Sequence, residues 1–345
     1  MSDETSSTQA DAEKWDRELL YQGGHFLQSW RWGEFKSEFG WTVRRASTVG
    51  NGRSALVQIL FRHRWPIAVG YVPRGPAIPE GDAHLGRSLM AKIDNVSRRE
   101  RAIYTLLEAN RPLPFSGRFK ENGFVQGAEH IQPARTVKVS LLEDEALLAQ
   151  MRQNTRYSVR LATRRGVRLV GPGNEYSVFD FYQLLLETAD RNKFGVHSER
   201  YYRRFLEIFG DDALCILAES EGNLAAGLIA VRFGKEAIYM YGASSAQYRT
   251  HGAAFLLQFE AMKWARDAGC ERYDLWGIPV LEPGNGGDED QTVIGSSGSD
   301  LRGLHRFKTG FGGDIVSYPP VLERRYSVIG SFMARRLTSR ARGDT

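Results

Sequence analysis

Residues 224–278 read LAAGLIAVRFGKEAIYMYGASSAQYRTHGAAFLLQFEAMKWARDAGCERYDLWGI, and the order of elements within them decides the fold. Apolar Leu224–Phe233 turns at Gly234-Lys235 into Ala237–Ser244, two runs with the length and composition of paired strands. A helix is predicted over Ala253–Ala268, with Ala254, Leu257, Ala261 and Ala265 on one face and Gly269 at its end. Tyr273–Ile278 is a further strand. Working outward, the first half follows the same plan. Ala55–Phe61 passes through a basic turn to Ile67–Val72, a helical stretch runs from Leu85 to Glu100, and Ile103–Leu107 is a strand. Residue identity between the halves is low, so it is the repeated order that predicts a duplicated fold.

Within the quoted stretch, Arg249-Thr250-His251-Gly252-Ala253-Ala254 fits R-x-x-G-x-A at a helix start. Glycine there lets backbone N–H groups approach an anion, and the helix N-terminus adds partial positive charge. The plainer reading is a structural turn. The arrangement is similar to the pyrophosphate-binding element of the GNAT acyltransferase superfamily. With the doubled order it predicts an α/β (α+β) chain of two tandem GNAT-like (acyl-CoA N-acyltransferase-like) domains.

Bulk properties fit that size. The chain has 345 residues, 42% hydrophobic and 25% charged, room for two domains of an ordinary globular protein. No uninterrupted apolar stretch would span a bilayer. Residues 1–14 are polar and acidic and read as a disordered leader, so a cytoplasmic location is expected. Cys215 and Cys270 lack metal spacing and read as buried, reduced thiols, and no metal site is expected. The net charge of +5 suggests anionic partners without naming them.

From Met151 to Arg168 there are six arginines and no acid. Arg152, Arg156, Arg160 and Arg164 recur at i, i+4 and line one side of a helix that Leu148, Met151, Val159 and Ala162 would anchor. Like charges at that spacing cost an isolated helix a few tenths of a kcal/mol per pair, roughly, which bound phosphates would offset. The alternative is a solvated face neutralised by acids from elsewhere.

The same segment carries a family resemblance. Gln153-Asn154-Thr155-Arg156-Tyr157-Ser158-Val159-Arg160-Leu161-Ala162, running into Arg165-Gly166-Val167, resembles the helix that opens the second domain of the FemABX family, the peptidoglycan-bridge aminoacyltransferases. Further blocks follow in family order. They are Phe26–Trp30 with Trp32 and Lys36, Tyr71–Pro76, Glu187–Arg191 with His197 and Tyr202, Tyr239–Ser244, Tyr273–Ile278, and Arg306-Phe307-Lys308-Thr309-Gly310-Phe311-Gly312-Gly313. Together they span roughly residues 25–320.

The resemblance implies transfer of an amino acid from aminoacyl-tRNA to a stem-peptide amine of a peptidoglycan precursor, nucleotide-linked (UDP-MurNAc-pentapeptide) or lipid-linked (lipid II). It implies no metal or organic cofactor. Domain 1 is expected over 15–140, completed by 318–345, and domain 2 over 141–317 with a mobile loop at 282–300; no coiled-coil arm is expected. The implied site has Lys308 stabilising the oxyanion or the leaving tRNA, with Phe307 beside it. Arg306, Lys36, Tyr202, Tyr239 and Tyr241 bind the precursor, Lys36 at its diphosphate. On the strand, Tyr239 is expected to share a face with Tyr241. Glu108 aligns with a family carboxylate considered as a base. Ser198 departs from the pattern: better-known members place an arginine there, so Arg200 or Arg203 is a candidate for the phosphate grip. Val328, Ile329, Phe332 and Met333 beside Arg335, Arg336, Arg340 and Arg342 could form a basic amphipathic helix, docked on its own domain or on the inner membrane face. Two rival functions stand beside this one. An acetyl-CoA-dependent N-acetyltransferase would need no RNA, and a non-catalytic RNA- or polysaccharide-binding module would not need Lys308.

Overall fold

The computed structural model describes residues 2–114, 123–126, 130–171, 178–279 and 302–327. The chain divides into two compact units: Met1–Gln132 with the segment from Tyr318, and Pro133–Ser317.

The first unit begins with helices α1 (Ser2–Tyr21) and α2 (Trp30–Ser37), then strands β1 (Thr42–Gly50), β2 (Arg53–Arg64) and β3 (Ile67–Pro73). Helix α3 (Ala83–Arg99) and strands β4 (Ala102–Glu108) and β5 (Phe124–Gln126) complete its N-terminal part. Asn51 and Gly52 take positive φ between paired Gly50 and Arg53, the tight turn that matches strand twist. Asp82 accepts the Leu85 N–H at 2.9 Å and starts α3, which buries Leu85, Leu89, Met90 and Ile93. Strand β4 runs parallel to β3, a pairing that requires a crossover, and α3 supplies it.

The second unit comprises β6 (Arg135–Ser140), α4 (Asp144–Gln150), α5 (Gln153–Arg164), β7 (Arg168–Val170), α6 (Val178–Asn192) and α7 (Glu199–Phe209). It continues with β8 (Ala213–Ser220), β9 (Asn223–Phe233), β10 (Glu236–Ser244), α8 (Ala253–Asp267), β11 (Arg272–Gly277), α9 (Arg302–Thr309) and β12 (Asp314–Ser317). Its sheet has the order β12-β6-β11-β10-β9-β8-β7. Strands β9 and β10 are antiparallel, α8 crosses over, and β11 lies parallel to β10, as β2, β3, α3 and β4 do in the first unit. The chain then returns through β13 (Leu322–Arg325), which pairs with β4 and β5 and closes the sheet β1-β2-β3-β4-β13-β5.

Four sequence expectations change. Of the residues read as a disordered leader, 2–14 lie in α1, whose Trp15 and Leu19 are buried; Trp15 donates its indole N–H to the Gln28 carbonyl at 2.9 Å. Residues 135–140, placed with the first domain, form β6 between β11 and β12 of the second sheet. The helix expected to run through Arg152 breaks there: Met151 and Arg152 are extended, so Leu148 belongs to α4 and only Val159 and Ala162 anchor α5. Finally, a bulge at Met240 pairs Tyr239 with Ala230 but Tyr241 with Ile229. The extra residue inverts the alternation, so the two tyrosines point to opposite faces of the sheet. The expected loop at 282–300 and the C-terminal apolar stripe from Val328 lie outside the described residues. No described helix is long and apolar enough to cross a membrane.

The first unit also contains a buried amide network that explains one family-like block. Gln28 donates to the carbonyls of Gln58 at 3.0 Å and Pro73 at 2.9 Å, and accepts the Gln58 N–H at 2.8 Å. Gln58 in turn donates to the Ser29 carbonyl at 3.0 Å and accepts from Arg45 at 2.8 Å. Every polar group on these two buried amides is satisfied, so Phe26–Trp30 serves to lock α2 onto β2 and β3.

Candidate active site

Helix α9 is pinned by aromatic edges. Phe307 meets Phe255 at 4.9 Å and Phe311 at 5.3 Å between ring centroids, both edge-to-face. The next residue, Lys308, is thereby turned inward and is only 6% exposed. Its Nζ donates to the Gly277 carbonyl at 2.9 Å and lies 5.2 Å from the centre of the Tyr239 ring. Among the described residues Lys308 forms no ion pair. Burial pulls its pKa down to about 8, and the Asp274 charge only partly counters that pull.

Asp274 lies fully buried on β11. It accepts the Thr136 hydroxyl and the Trp276 N–H, the latter at 2.7 Å, and Lys138 stands 3.6 Å away while pairing with Glu236 at 2.6 Å. Trp276 takes φ +59, a left-handed conformation that is costly for an indole-bearing residue, at a register shift between Asp274 and Gly277. Asp274 therefore braces the irregular backbone whose next carbonyl, on Gly277, receives Lys308. The sequence signal for Asp274 was a lone carboxylate inside an otherwise apolar strand, Tyr273–Ile278.

The tyrosines divide between two sites. Tyr239 sits with Lys308 on the α8 side of the sheet, where a Cβ on Gly242 would overlap its hydroxyl; only glycine leaves that ring its place. Burial raises the Tyr239 pKa to about 12. Tyr241 and Tyr202 lie on the other face, edge-to-face at 5.0 Å and surrounded by Tyr201 and Phe205. The Tyr202 hydroxyl accepts the His197 N–H at 3.2 Å, and His197 stacks on Tyr201 at 3.8 Å. Tyr202 and Tyr241 thus build an aromatic layer between α7 and β10, apart from Lys308. Arg306 is exposed on α9, and of the replacements for a family arginine at position 198, Arg200 is exposed and Arg203 pairs with Glu199 at 3.5 Å.

The arginine row is only partly free for a ligand. Arg156 donates to the Ala149 and Met151 carbonyls at 2.9 and 3.1 Å, closing the end of α4. Arg164 lies over the Tyr157 ring at 5.4 Å, and Arg152, Arg160 and Arg164 are exposed. Arg165 donates to the Thr250 carbonyl at 3.0 Å. The R-x-x-G-x-A glycine has a packing reason: Gly252 has φ +79, and a Cβ there would collide with the Ser158 carbonyl of α5. The turn that suggested a pyrophosphate cradle is the seat of α5.

In the first unit, Lys36 is held between Trp32 and Trp41 at 5.4 and 5.8 Å, and burial together with Arg62 lowers its pKa to about 8. Arg62, itself 4.8 Å from the Trp41 ring, is a second cation that sequence reading missed. Glu108 is only 1% exposed and accepts from the Tyr71 hydroxyl and from the Ile131 and Gln132 N–H groups at 2.7 and 3.1 Å, with His130 3.3 Å away. Its lone pairs are engaged, and its place is that of a buried brace for the segment following β5.

Known proteins resemble this chain in sequence and fold. Residues 149–290 match the family described as Acetyltransferase (GNAT) domain. The lipid II:glycine glycyltransferase of Staphylococcus epidermidis is 24% identical over 336 residues, covering 74% of this chain and 80% of the relative. The enzyme of the same name from Staphylococcus saprophyticus is 23% identical over 368 residues, covering 84% and 85%. Among solved structures, FemX superposes with a TM-score of 0.79 at 19% identity, covering 93% of this chain and 98% of FemX. A tandem GNAT protein from the clavulanic acid biosynthesis pathway gives 0.53 at 14% identity, covering 83% of each chain. In its doubled acyltransferase scaffold, its GNAT segment and its glycyltransferase relatives, the chain is similar to the FemABX-type peptidoglycan-bridge aminoacyltransferases.

Proposed function

We propose that the chain moves an amino acid from aminoacyl-tRNA onto the stem-peptide side-chain amine of a peptidoglycan precursor, with Lys308 as the catalytic cation. The relatives named for glycine transfer to lipid II support an acceptor of that class. The observation that carries the reading is a buried lysine with a pKa near 8 and a carbonyl and an aromatic ring as its neighbours. Such a group can carry a proton at neutral pH and also give it up.

The reaction balances without a further reactant. The amine nitrogen bonds to the ester carbonyl carbon, and its carbonyl oxygen becomes an oxyanion. Collapse expels the tRNA ribose oxygen, and the amine loses one proton while that oxygen gains one. A protonated Lys308 stabilises the oxyanion and can deliver the proton to the departing oxygen. Phe307 fixes its helix, and Tyr239 shapes the wall beside it. Arg152, Arg160 and Arg164 grip tRNA phosphates, Arg156 contributing while it braces α4. In the first unit Lys36, with Arg62, takes the diphosphate of the precursor: two cations this close gain from an anion between them. Arg306 binds substrate from the exposed side of α9, and Tyr202 and Tyr241 shape the precursor site through the α7 layer. Glu108 is assigned a structural role.

The test is to incubate the purified chain with charged tRNA mixtures and with nucleotide-linked or lipid-linked precursors, and to weigh the products. A gain of one aminoacyl residue, abolished by RNase, supports the reading. A gain that needs acetyl-CoA and survives RNase would replace it with the acetyltransferase.

A further inference from the structure

Strands β2 and β3 are joined by the two-residue turn Trp65-Pro66, closed by the Arg64–Ile67 pair. Trp65 is 90% exposed, more than any other large hydrophobic residue described. An indole so placed gains nothing from burial in the fold, and one exposed aromatic residue alone marks no interface; what singles this corner out is the charge gathered around it. The end of α3 is tied to the same corner, because the Arg101 carbonyl accepts the Ala68 N–H at 3.1 Å. His63, Trp65, Arg99, Glu100 and Arg101 line one shallow hollow.

The charges of this corner are unbalanced. Its acid, Glu100, is already engaged by Arg44 at 2.7 Å and by His63 at 3.2 Å. Arg64, Arg99 and Arg101 are exposed and form no ion pair among the described residues. We propose that this corner is a docking surface for an anionic lipid bilayer. Trp65 enters the boundary between headgroups and acyl chains, and Arg64, Arg99 and Arg101 take lipid phosphates.

The layering favours lipid over nucleic acid. Trp65 occupies the turn, the extremity of the hairpin, whereas Arg64 ends β2 and Arg99 and Arg101 flank the end of α3 behind it. A bilayer presents phosphates outside an apolar boundary, so an indole ahead of a cationic ring meets both layers in the right order. A nucleic-acid duplex presents its phosphates outermost, which calls for the arginines to lead. The surface is independent of which acceptor the enzyme uses.

Sedimentation of the full chain with vesicles tests this. Binding is expected to vesicles of mixed phosphatidylglycerol and phosphatidylcholine, and not to phosphatidylcholine alone. Trp65→Ala, and separately the Arg99→Gln/Arg101→Gln double variant, should each weaken binding about tenfold or more. Both changes are at exposed positions, and unchanged circular dichroism confirms the fold. Brominated lipid should quench part of the tryptophan emission of the native chain, and Trp65→Phe should abolish that part. Failure of the native chain to bind, or equal binding by all variants, overturns the proposal. So does a double variant that loses tRNA affinity but keeps its vesicle binding, which would make the corner an RNA face.

Discussion

Replacing Lys308 with methionine should lower activity and raise stability together. Met matches the length of the lysine stem and removes the charge. The pKa of this group falls from 10.5 to about 8 on folding, so keeping it protonated inside the protein costs about 3 kcal/mol at neutral pH, at 1.36 kcal/mol per unit. The substitution removes that cost but leaves the Gly277 carbonyl without its donor, a loss of about 1 kcal/mol. The variant should therefore be about 2 kcal/mol more stable than the native chain at pH 7. The sign depends on pH. Below pH 8 both folded and unfolded lysine hold the proton, and the full cost is present. Between 8 and 10.5 the unfolded state binds more protons than the folded one, so the native chain gains stability as pH rises. Above 10.5 the advantage of methionine is gone.

Urea denaturation at pH 7 and at pH 10.5 measures this, alongside aminoacyl transfer followed by mass. Activity should fall about 100- to 1000-fold, the usual cost of losing one donor to a developing oxyanion. A variant that is less stable than the native chain at pH 7 would show that Lys308 is a structural pin on β11, and a variant that keeps its activity would remove it from the chemistry.

Three further outcomes follow from the same geometry. Asp274→Asn removes the charge that holds the Lys308 pKa up, so the alkaline limb of kcat/KM should move to lower pH; an unmoved limb would detach Asp274 from Lys308. Gly242→Ala should push the Tyr239 ring off its position beside Lys308, costing about 1–3 kcal/mol of stability and at least tenfold in rate, and native activity would show that the ring is not needed there. Arg160→Gln and Arg164→Gln should each lower the slope of log affinity for tRNA against log salt by about 1, and an unchanged slope would place the RNA elsewhere.

The fold was legible because its signal is local. Each strand, turn and crossover helix of the repeated plan carries its own periodicity, and Ala55–Phe61, Ile67–Val72, Leu224–Phe233 and Ala237–Ser244 all lie within observed strands. Boundaries set by pairing between distant segments were not legible. A boundary at 140 places residues 135–140 with the first domain, and only their pairing with β11 and β12 assigns them to the second. The break at Met151 and Arg152 has the same character. Arginines at i, i+4 describe a helix face whether or not the backbone stays helical, and here the Arg152 N–H bonds instead to the Gly310 carbonyl at 2.8 Å, the segment that follows Lys308.

The site was half legible for a related reason. Lys308 was singled out through its block, but what lowers its pKa is its surroundings, which come from β11, β10 and α9 and share no sequence neighbourhood. The bulge at Met240 shows how one residue decides such a matter. Without it, Tyr239 and Tyr241 would both face α8 or both face α7, and either Lys308 or the aromatic layer on α7 would lose its ring. The extra residue lets one strand serve both faces, and the empty position at Gly242 leaves space for the Tyr239 hydroxyl that results. The buried setting of Lys308 is thus a product of backbone irregularity: a bulge on β10 sets the ring beside it, and a left-handed Trp276 on β11 precedes the carbonyl that holds it. Both irregularities cost stability and persist because buried groups such as Asp274 enforce them, which is why restoring regular strands there should yield a firmer and less active protein.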